Sequence, residues 1–333
     1  MKKSLNLNRS IIKILNEERE KGVLQAEMEN KLKFSRSYIS ESLKNLERGG
    51  KIIVKSVSKR MRRIWLADYF PGIAENQVRI GILRSSEYTL HLSALMKILE
   101  EQGKTVIVRV YENTSLLLRD LDSSILEIIM APFYPSLLHS LIYGNPIIAP
   151  VASGGSAIIS KGSERICYVS ETSTMAKLAQ LYVSRREGIE LVSLGSMEKN
   201  IKAFLSSGGL ITLWEPYLTR IVSEHEVKKE AGYEEILGRV PCCVITFNNL
   251  YYKSNLQLAR DISEMEPDIK DIENPDNIYL ARISNILGFT QDIIADSIKS
   301  YSFFKRYSRF PDDSKEIGIY LTENQRSKIF PLS

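Results

Sequence analysis

Leu210-Ile211-Thr212-Leu213-Trp214-Glu215-Pro216-Tyr217 is the stretch whose reading decides the fold. Residues 210–214 read as a short buried strand, and residues 217–222 as the helix that follows it. The same strand-then-helix unit recurs along the chain. Upstream, strands are predicted at 78–83, 105–110, 125–131, 147–151, 166–169 and 189–194, alternating with helices at 90–101, 115–121, 135–142, 174–186 and 197–205. Downstream, a strand at 242–247 leads into mainly helical sequence as far as residue 307. Such alternation predicts an α/β fold, a parallel sheet with helices on its faces.

The first 70 residues follow another pattern. Ile11, Ile12 and Leu15 share one helical face, and Leu24, Met28 and Leu32 mark a second, shorter helix after Gly22. A third helix has Ser35 as its N-cap and Ile39, Leu43 and Leu46 as its inward face, and it stops at Gly49-Gly50. Two strand-like runs, 51–54 and 63–67, then form a hairpin whose connection carries Lys59, Arg60 and Arg62, with Arg63 beside it. The stretch KLKFSRSYISESLKNLERGGKIIV, residues 31–54, resembles winged helix-turn-helix regulators in pattern and spacing. That resemblance implies double-stranded DNA as a partner. It would be contacted by Arg36, Ser37, Tyr38, Ser40 and Lys44 of the third helix and by Lys59, Arg60, Arg62 and Arg63 of the hairpin.

Charge agrees with this division. The 333 residues carry a net charge of +5, but residues 1–70 hold 17 Lys/Arg against 8 Asp/Glu, so the basic character is local and the remainder is mildly acidic. A basic head on an acidic body suits polyanion binding, and a solvated basic surface is the plainer alternative. Cys167, Cys242 and Cys243 show neither CxxC nor Cys/His spacing, which indicates neither a disulfide framework nor a zinc site. His91, His139 and His225 are scattered, so no catalytic residue, metal or cofactor is expected. Asn6, Asn8, Arg9 and Ser10 interrupt any apolar stretch behind Met1-Lys2-Lys3, which points to a cytoplasmic protein. The apolar region 125–159 is broken by Pro132, Pro135, Pro146 and Pro150, so no membrane span is expected there.

In the body the resemblance becomes specific. Trp214-Glu215-Pro216-Tyr217, preceded by about 60 residues by the small-residue crossing Ala152-Ser153-Gly154-Gly155-Ser156, is similar to the type-two periplasmic binding proteins for nitrate, sulfonates and thiamine precursors. In that family the Trp-Glu-Pro element lies at a ligand cleft between two lobes. The likeness implies lobe one at 77–150 and 248–310, lobe two at 155–240, and a C-terminal arm at 311–333. Loops at the C-terminal ends of strands face the crevice in such sheets. The candidate ligand contacts are therefore Ser85, Ser86, Glu87, Phe133, Tyr134, Ser153, Gly154, Gly155, Ser156, Thr172, Ser173, Thr174, Trp214 and Glu215. Pro132, in the same turn as Phe133, is a further candidate contact.

Together these features predict a homodimeric, ligand-responsive transcriptional regulator: a winged helix-turn-helix on operator DNA and a two-lobed body that senses a small-molecule effector. A metabolic enzyme of the thiamine-pyrimidine-synthesis type with an appended winged helix is one alternative, although Cys242-Cys243 is an isolated pair and not that branch's cysteine-rich cluster. A protein-docking adaptor is another.

Overall fold

The structure is a computed structural model that describes residues 2–58, 61–72, 76–163, 165–171, 173–184, 186–270, 278–304 and 310–332. Its N-terminal unit holds helices α1 (Lys2–Glu18), α2 (Gln25–Lys31) and α3 (Arg36–Arg48), with strands β1 (Val23–Leu24), β2 (Ile52–Ser58) and β3 (Met61–Leu66). The strands form an antiparallel sheet in the order β1-β3-β2. Leu7, Ile11 and Leu15 of α1 pack on Met28, Ile39, Leu43, Leu46, Ile52 and Ile64. Helix α1 begins before the expected residue 8 because Leu7 extends its apolar stripe one turn upstream. Helix α3 ends where Gly49 N–H returns to Asn45 O and Gly50 takes φ +67°. Ser35 sits at the N-cap position, but its hydroxyl makes no capping bond and faces Ser37 Oγ at 3.3 Å.

The body has two five-stranded sheets. The first contains β4 (Gln77–Leu83), β5 (Thr105–Tyr111), β6 (Ile128–Pro132) and β7 (Ile147–Pro150), separated by helices α4 (Thr89–Glu101), α5 (Thr114–Asp122) and α6 (Phe133–Tyr143). After β8 (Ala152–Gly154) the chain builds the second sheet from β9 (Ser156–Lys161), β10 (Ile166–Tyr168), β11 (Glu190–Val192), β12 (Gly209–Trp214) and β13 (Lys228–Gly232). Helices α7 (Thr174–Val183), α8 (Met197–Ser207), α9 (Tyr217–Glu224) and α10 (Tyr233–Leu237) accompany these strands. The chain then returns as β14 (Cys243–Phe247), and the sheet orders are β5-β4-β6-β14-β7 and β11-β10-β12-β9-β13.

Neither sheet is wholly parallel, in contrast to the expectation. Strand β14 runs antiparallel between β6 and β7, and β9 runs antiparallel to β12 and β13. The reason is connectivity: a strand that returns from the other lobe enters its sheet from the opposite end. For the same reason the return crossing precedes Cys243, whereas the sequence placed it after Phe247. An apolar run such as 242–247 reveals a buried strand but not which sheet receives it.

Helices α11 (Asn249–Ser254), α12 (Leu256–Ser263), α13 (Ile278–Leu287) and α14 (Gln291–Ile298) follow, then β15 (Tyr301–Phe303), which pairs antiparallel with β8 beside the first crossing. The C-terminal helices α15 (Phe310–Glu316) and α16 (Glu323–Ile329) complete the chain. Ile317, Leu321, Ile329 and Phe330 pack onto Phe133, Leu137, Val240 and Val244 of the same chain. A buried ion pair locks the start of the body. The Arg79 guanidinium binds both carboxylate oxygens of Glu127, at 3.0 and 2.5 Å, and also the carbonyls of Phe70, Gly72 (2.6 Å) and Ser124 (2.9 Å).

Candidate functional site

The strand-end loops of the two lobes meet in a narrow crevice whose enclosed space is about 20 Å³. That is room for about one water molecule, so the lobes lie closed on each other here. Leu83, Ser85, Glu87, Tyr88 and Pro132 line it from lobe one, and Ser173, Thr174, Met175 and Trp214 from lobe two. Cys242 lines it from the end of the return crossing and Cys243 from the first residue of β14.

Trp214 is placed by β12, which lies inside its sheet between β10 and β9, so the indole emerges at the strand end that faces the other lobe. Its Nε1–H donates to Arg84 O at 2.9 Å, and Ser86 N–H donates to Glu215 O at 3.2 Å. The lobes are therefore hydrogen-bonded to each other at this corner, where the Glu215-Pro216 peptide is cis. Thr174 makes a second bridge. Its hydroxyl donates to Cys242 O at 3.1 Å and accepts from Tyr134 N–H at 3.3 Å. Ser173 caps α7, accepting from Ala176 N–H at 3.1 Å.

Six of the sequence candidates line this crevice: Ser85, Glu87, Pro132, Ser173, Thr174 and Trp214. Others lie nearby but are engaged elsewhere. Ser86 accepts a hydrogen bond from the Ser297 hydroxyl at 2.7 Å, and the Ser153 hydroxyl donates to Glu234. Gly154 pairs with Tyr301. Gly155 lies under the Tyr301 ring, where a Cβ would come within 2.0 Å of it. Ser156 is buried, and its Oγ has no hydrogen-bond partner.

Two candidates are corrected. Glu215 does not offer its carboxylate to a ligand: Oε2 accepts from Thr219 N–H at 2.9 Å in the first turn of α9, and Oε1 from Ser300 at 3.3 Å. Burial raises its pKa, and those donors oppose the rise. Phe133 is fully buried in the C-terminal cluster, with Tyr134 packed against the same cluster, because helix α6 begins at Phe133 and turns its side chain away from the crevice. Thr172 lies outside the described residues.

Sequence reasoning missed Leu83, Tyr88, Met175 and the two cysteines. Tyr88 OH lies 3.3 Å from Cys243 Sγ, and burial pushes the Cys243 thiol and the Tyr88 phenol well above their ordinary ranges. Burial also pushes the Glu87 carboxyl up to about 8. No spacing signal could have joined Glu87 to a cysteine pair in a distant strand.

In the N-terminal unit, Arg36 pairs with Glu29 at 2.5 Å, and Arg63 folds back onto Lys21 O at 3.1 Å. Tyr38 is half-buried against the core and beside Phe34, so it does not face outward as expected. Ser37, Lys44 and Arg62 are exposed, and Ser40 is half-buried. Lys59 and Arg60 lie outside the described residues.

No protein-family model matches the chain, and no curated protein matches it. Solved structures do. The alkanesulfonate-binding protein SsuA from Xanthomonas axonopodis pv. citri, bound to MOPS, is similar over 74% of this chain and 91% of its own, at 14% identity and a TM-score of 0.58. The ligand-binding component of an ABC-type import system from Staphylococcus aureus, with zinc bound, is similar over 73% and 90%, at 14% identity and a TM-score of 0.57. The periplasmic nitrate-binding protein NrtA from Synechocystis PCC 6803 is similar over 70% and 72%, at 11% identity and a TM-score of 0.54.

These likenesses overturn the expectation of a cytoplasmic, homodimeric transcriptional regulator with operator DNA as its partner. The similar structures are binding proteins for small solutes, not DNA-binding regulators. The resemblance of residues 31–54 to winged helix-turn-helix regulators carried that expectation, with the basic N-terminal surface in support, and charge alone does not name a partner. The chain is similar in fold to the periplasmic-binding-protein-like, solute-binding components of import systems, with a mixed α/β body of two lobes.

Proposed function

We propose that the protein binds a small solute, without catalysis, in the crevice between its two lobes. The observation that carries this reading is a crevice lined from both lobes and from the return crossing, with Trp214 reaching across to Arg84. Two crossings between two sheets make a hinge, and a ligand held by both lobes favours their closed arrangement.

The lining suggests the class of ligand. Leu83, Tyr88, Pro132, Met175 and the half-buried Trp214 ring suit an apolar or planar part. The start of α7 at Ser173 and Thr174 suits an anionic group, because helix N-termini carry positive potential. An alkanesulfonate or a carboxylate of similar size combines both, consistent with the sulfonate-bound neighbour. The likeness also favours a working place outside the cytoplasm, which cell fractionation with a tagged chain tests.

We further read residues 2–69 as a winged helix, from the order of three helices and an antiparallel hairpin. We take 77–303 as the ligand-binding unit.

Calorimetry with short alkanesulfonates, MOPS and nitrate tests the function. Saturable one-to-one binding is expected for at least one sulfonate, weakened roughly tenfold or more in Trp214→Ala, which removes the largest apolar face of the site. Unchanged affinity in that variant would exclude the crevice.

A further inference from the structure

Glu87, Cys242 and Cys243 converge at the floor of the crevice. One carboxylate oxygen and the two sulfurs all lie within 4.8 Å of one another, and all three residues are buried, at 1%, 5% and 4% exposure. Both thiols and the backbone of Cys243 and Ala152 lie within hydrogen-bonding reach of the Glu87 carboxyl. The Ser156 hydroxyl is buried beside Cys242, within hydrogen-bonding reach of its thiol. One carboxyl group and two thiols converging on one point form a donor set that a divalent cation would complete.

We propose that Glu87, Cys242 and Cys243 bind a thiophilic divalent cation of the zinc class. Tetrahedral zinc at about 2.3 Å from sulfur and about 2.0–2.2 Å from oxygen places its ligands roughly 3.5–3.8 Å apart, within the observed spread. Thiolate donors select against magnesium and calcium, which prefer oxygen. The three protein donors leave a fourth position facing the crevice, the arrangement of an open zinc site. Tyr88 OH, 3.3 Å from Cys243 Sγ, is placed to donate a hydrogen bond to the metal-bound thiolate. On binding, two S–H bonds and the O–H bond of the protonated Glu87 carboxyl break, two metal–sulfur bonds and one metal–oxygen bond form, and the protons pass to solvent, with no change in oxidation state.

The site occupies the hinge. Cys242 N–H donates to Ala152 O at 2.8 Å and Val151 N–H to Cys243 O at 2.9 Å, so the two crossings are bonded to each other at the cysteine pair. Metal there would tie the Glu87 loop of lobe one to both crossings and stiffen the hinge. This proposal stands on those residues and does not depend on which solute the crevice takes.

The test uses the full-length protein, stripped with a chelator under reducing conditions and titrated with Co²⁺ and then Zn²⁺. One equivalent of Co²⁺ is expected to produce a thiolate-to-cobalt charge-transfer band, which one equivalent of Zn²⁺ abolishes. The band should persist in Cys167→Ser, whose thiol is buried elsewhere, and disappear in Cys242→Ser and in Cys243→Ser. Glu87→Gln should weaken Zn²⁺ binding roughly tenfold or more, because losing a ligand costs at least as much as losing a ligand's own hydrogen-bond partner. Circular dichroism establishes that each variant is folded. Absence of the band in wild type, or its survival in a folded Cys242→Ser/Cys243→Ser double variant, would overturn the proposal.

Discussion

Replacing Arg79 by Met should destabilise the body by about 3–5 kcal/mol. The side chain is fully buried, with 0% exposure, and all its N–H groups point at acceptors: both oxygens of Glu127 and the carbonyls of Phe70, Gly72 and Ser124. Methionine fills much of the volume but leaves the Glu127 carboxylate buried with only the residue-79 backbone N–H, at 2.7 Å, to satisfy it. Removing one partner of a buried pair typically costs about 3–5 kcal/mol. The carbonyls of Phe70 and Gly72 add less, because the chain around residue 71 is exposed and water can reach it. Against a typical domain stability of about 5–15 kcal/mol, this is about a fifth or more of the total. Urea unfolding, followed separately for the N-terminal unit and the body because two units need not unfold together, measures it. Glu127→Gln should cost less, since an amide oxygen still accepts from Arg79. A loss under about 1 kcal/mol in Arg79→Met would refute the reasoning, because the pair would then contribute no more than an exposed one.

Two further outcomes follow from local geometry. Gly155→Ala should be clearly more destabilising in thermal melts than Gly162→Ala. Both residues have positive φ, +58° and +68°, but a Cβ at 155 strikes the Tyr301 ring while one at 162 meets nothing within 4 Å. The shared backbone strain is about 1 kcal/mol and the clash adds roughly 1–3 kcal/mol; equal losses would mean that Tyr301 moves aside freely. Burial pushes His91 from 6.5 down to about 4. The unfolded chain then takes up a proton that the folded protein refuses, so His91 contributes stability above pH 6.5 that falls away as pH drops towards 4, by roughly 3 kcal/mol in all. His91→Leu should flatten the acid limb of the stability curve, and an unchanged slope would contradict this.

Strand and helix alternation in the body was legible because buried strands there are short apolar runs. The exceptions have physical causes. Strand β13, Lys228-Lys229-Glu230-Ala231-Gly232, carries three charged residues and pairs only through β9, so no hydrophobic pattern marks it. Ser85, Glu87, Pro132, Ser173, Thr174 and Trp214 could be read as lining residues because strand-end loops face the crevice in such sheets. Which way a side chain turns after the strand could not: Phe133 goes to the C-terminal cluster and Glu215 to the start of α9. The cysteine pair was passed over because ligand spacing along a chain says nothing of a carboxylate brought in from another strand.

The central claim is that solute binds between the lobes against Trp214. The chain has two tryptophans, Trp65 in the N-terminal unit and Trp214 in the crevice, so Trp65→Phe leaves a single reporter at the site. Fluorescence of that variant, titrated with the alkanesulfonate that binds most tightly in calorimetry, should change saturably at the calorimetric affinity. Calorimetric binding that leaves the Trp214 emission unchanged would contradict the account.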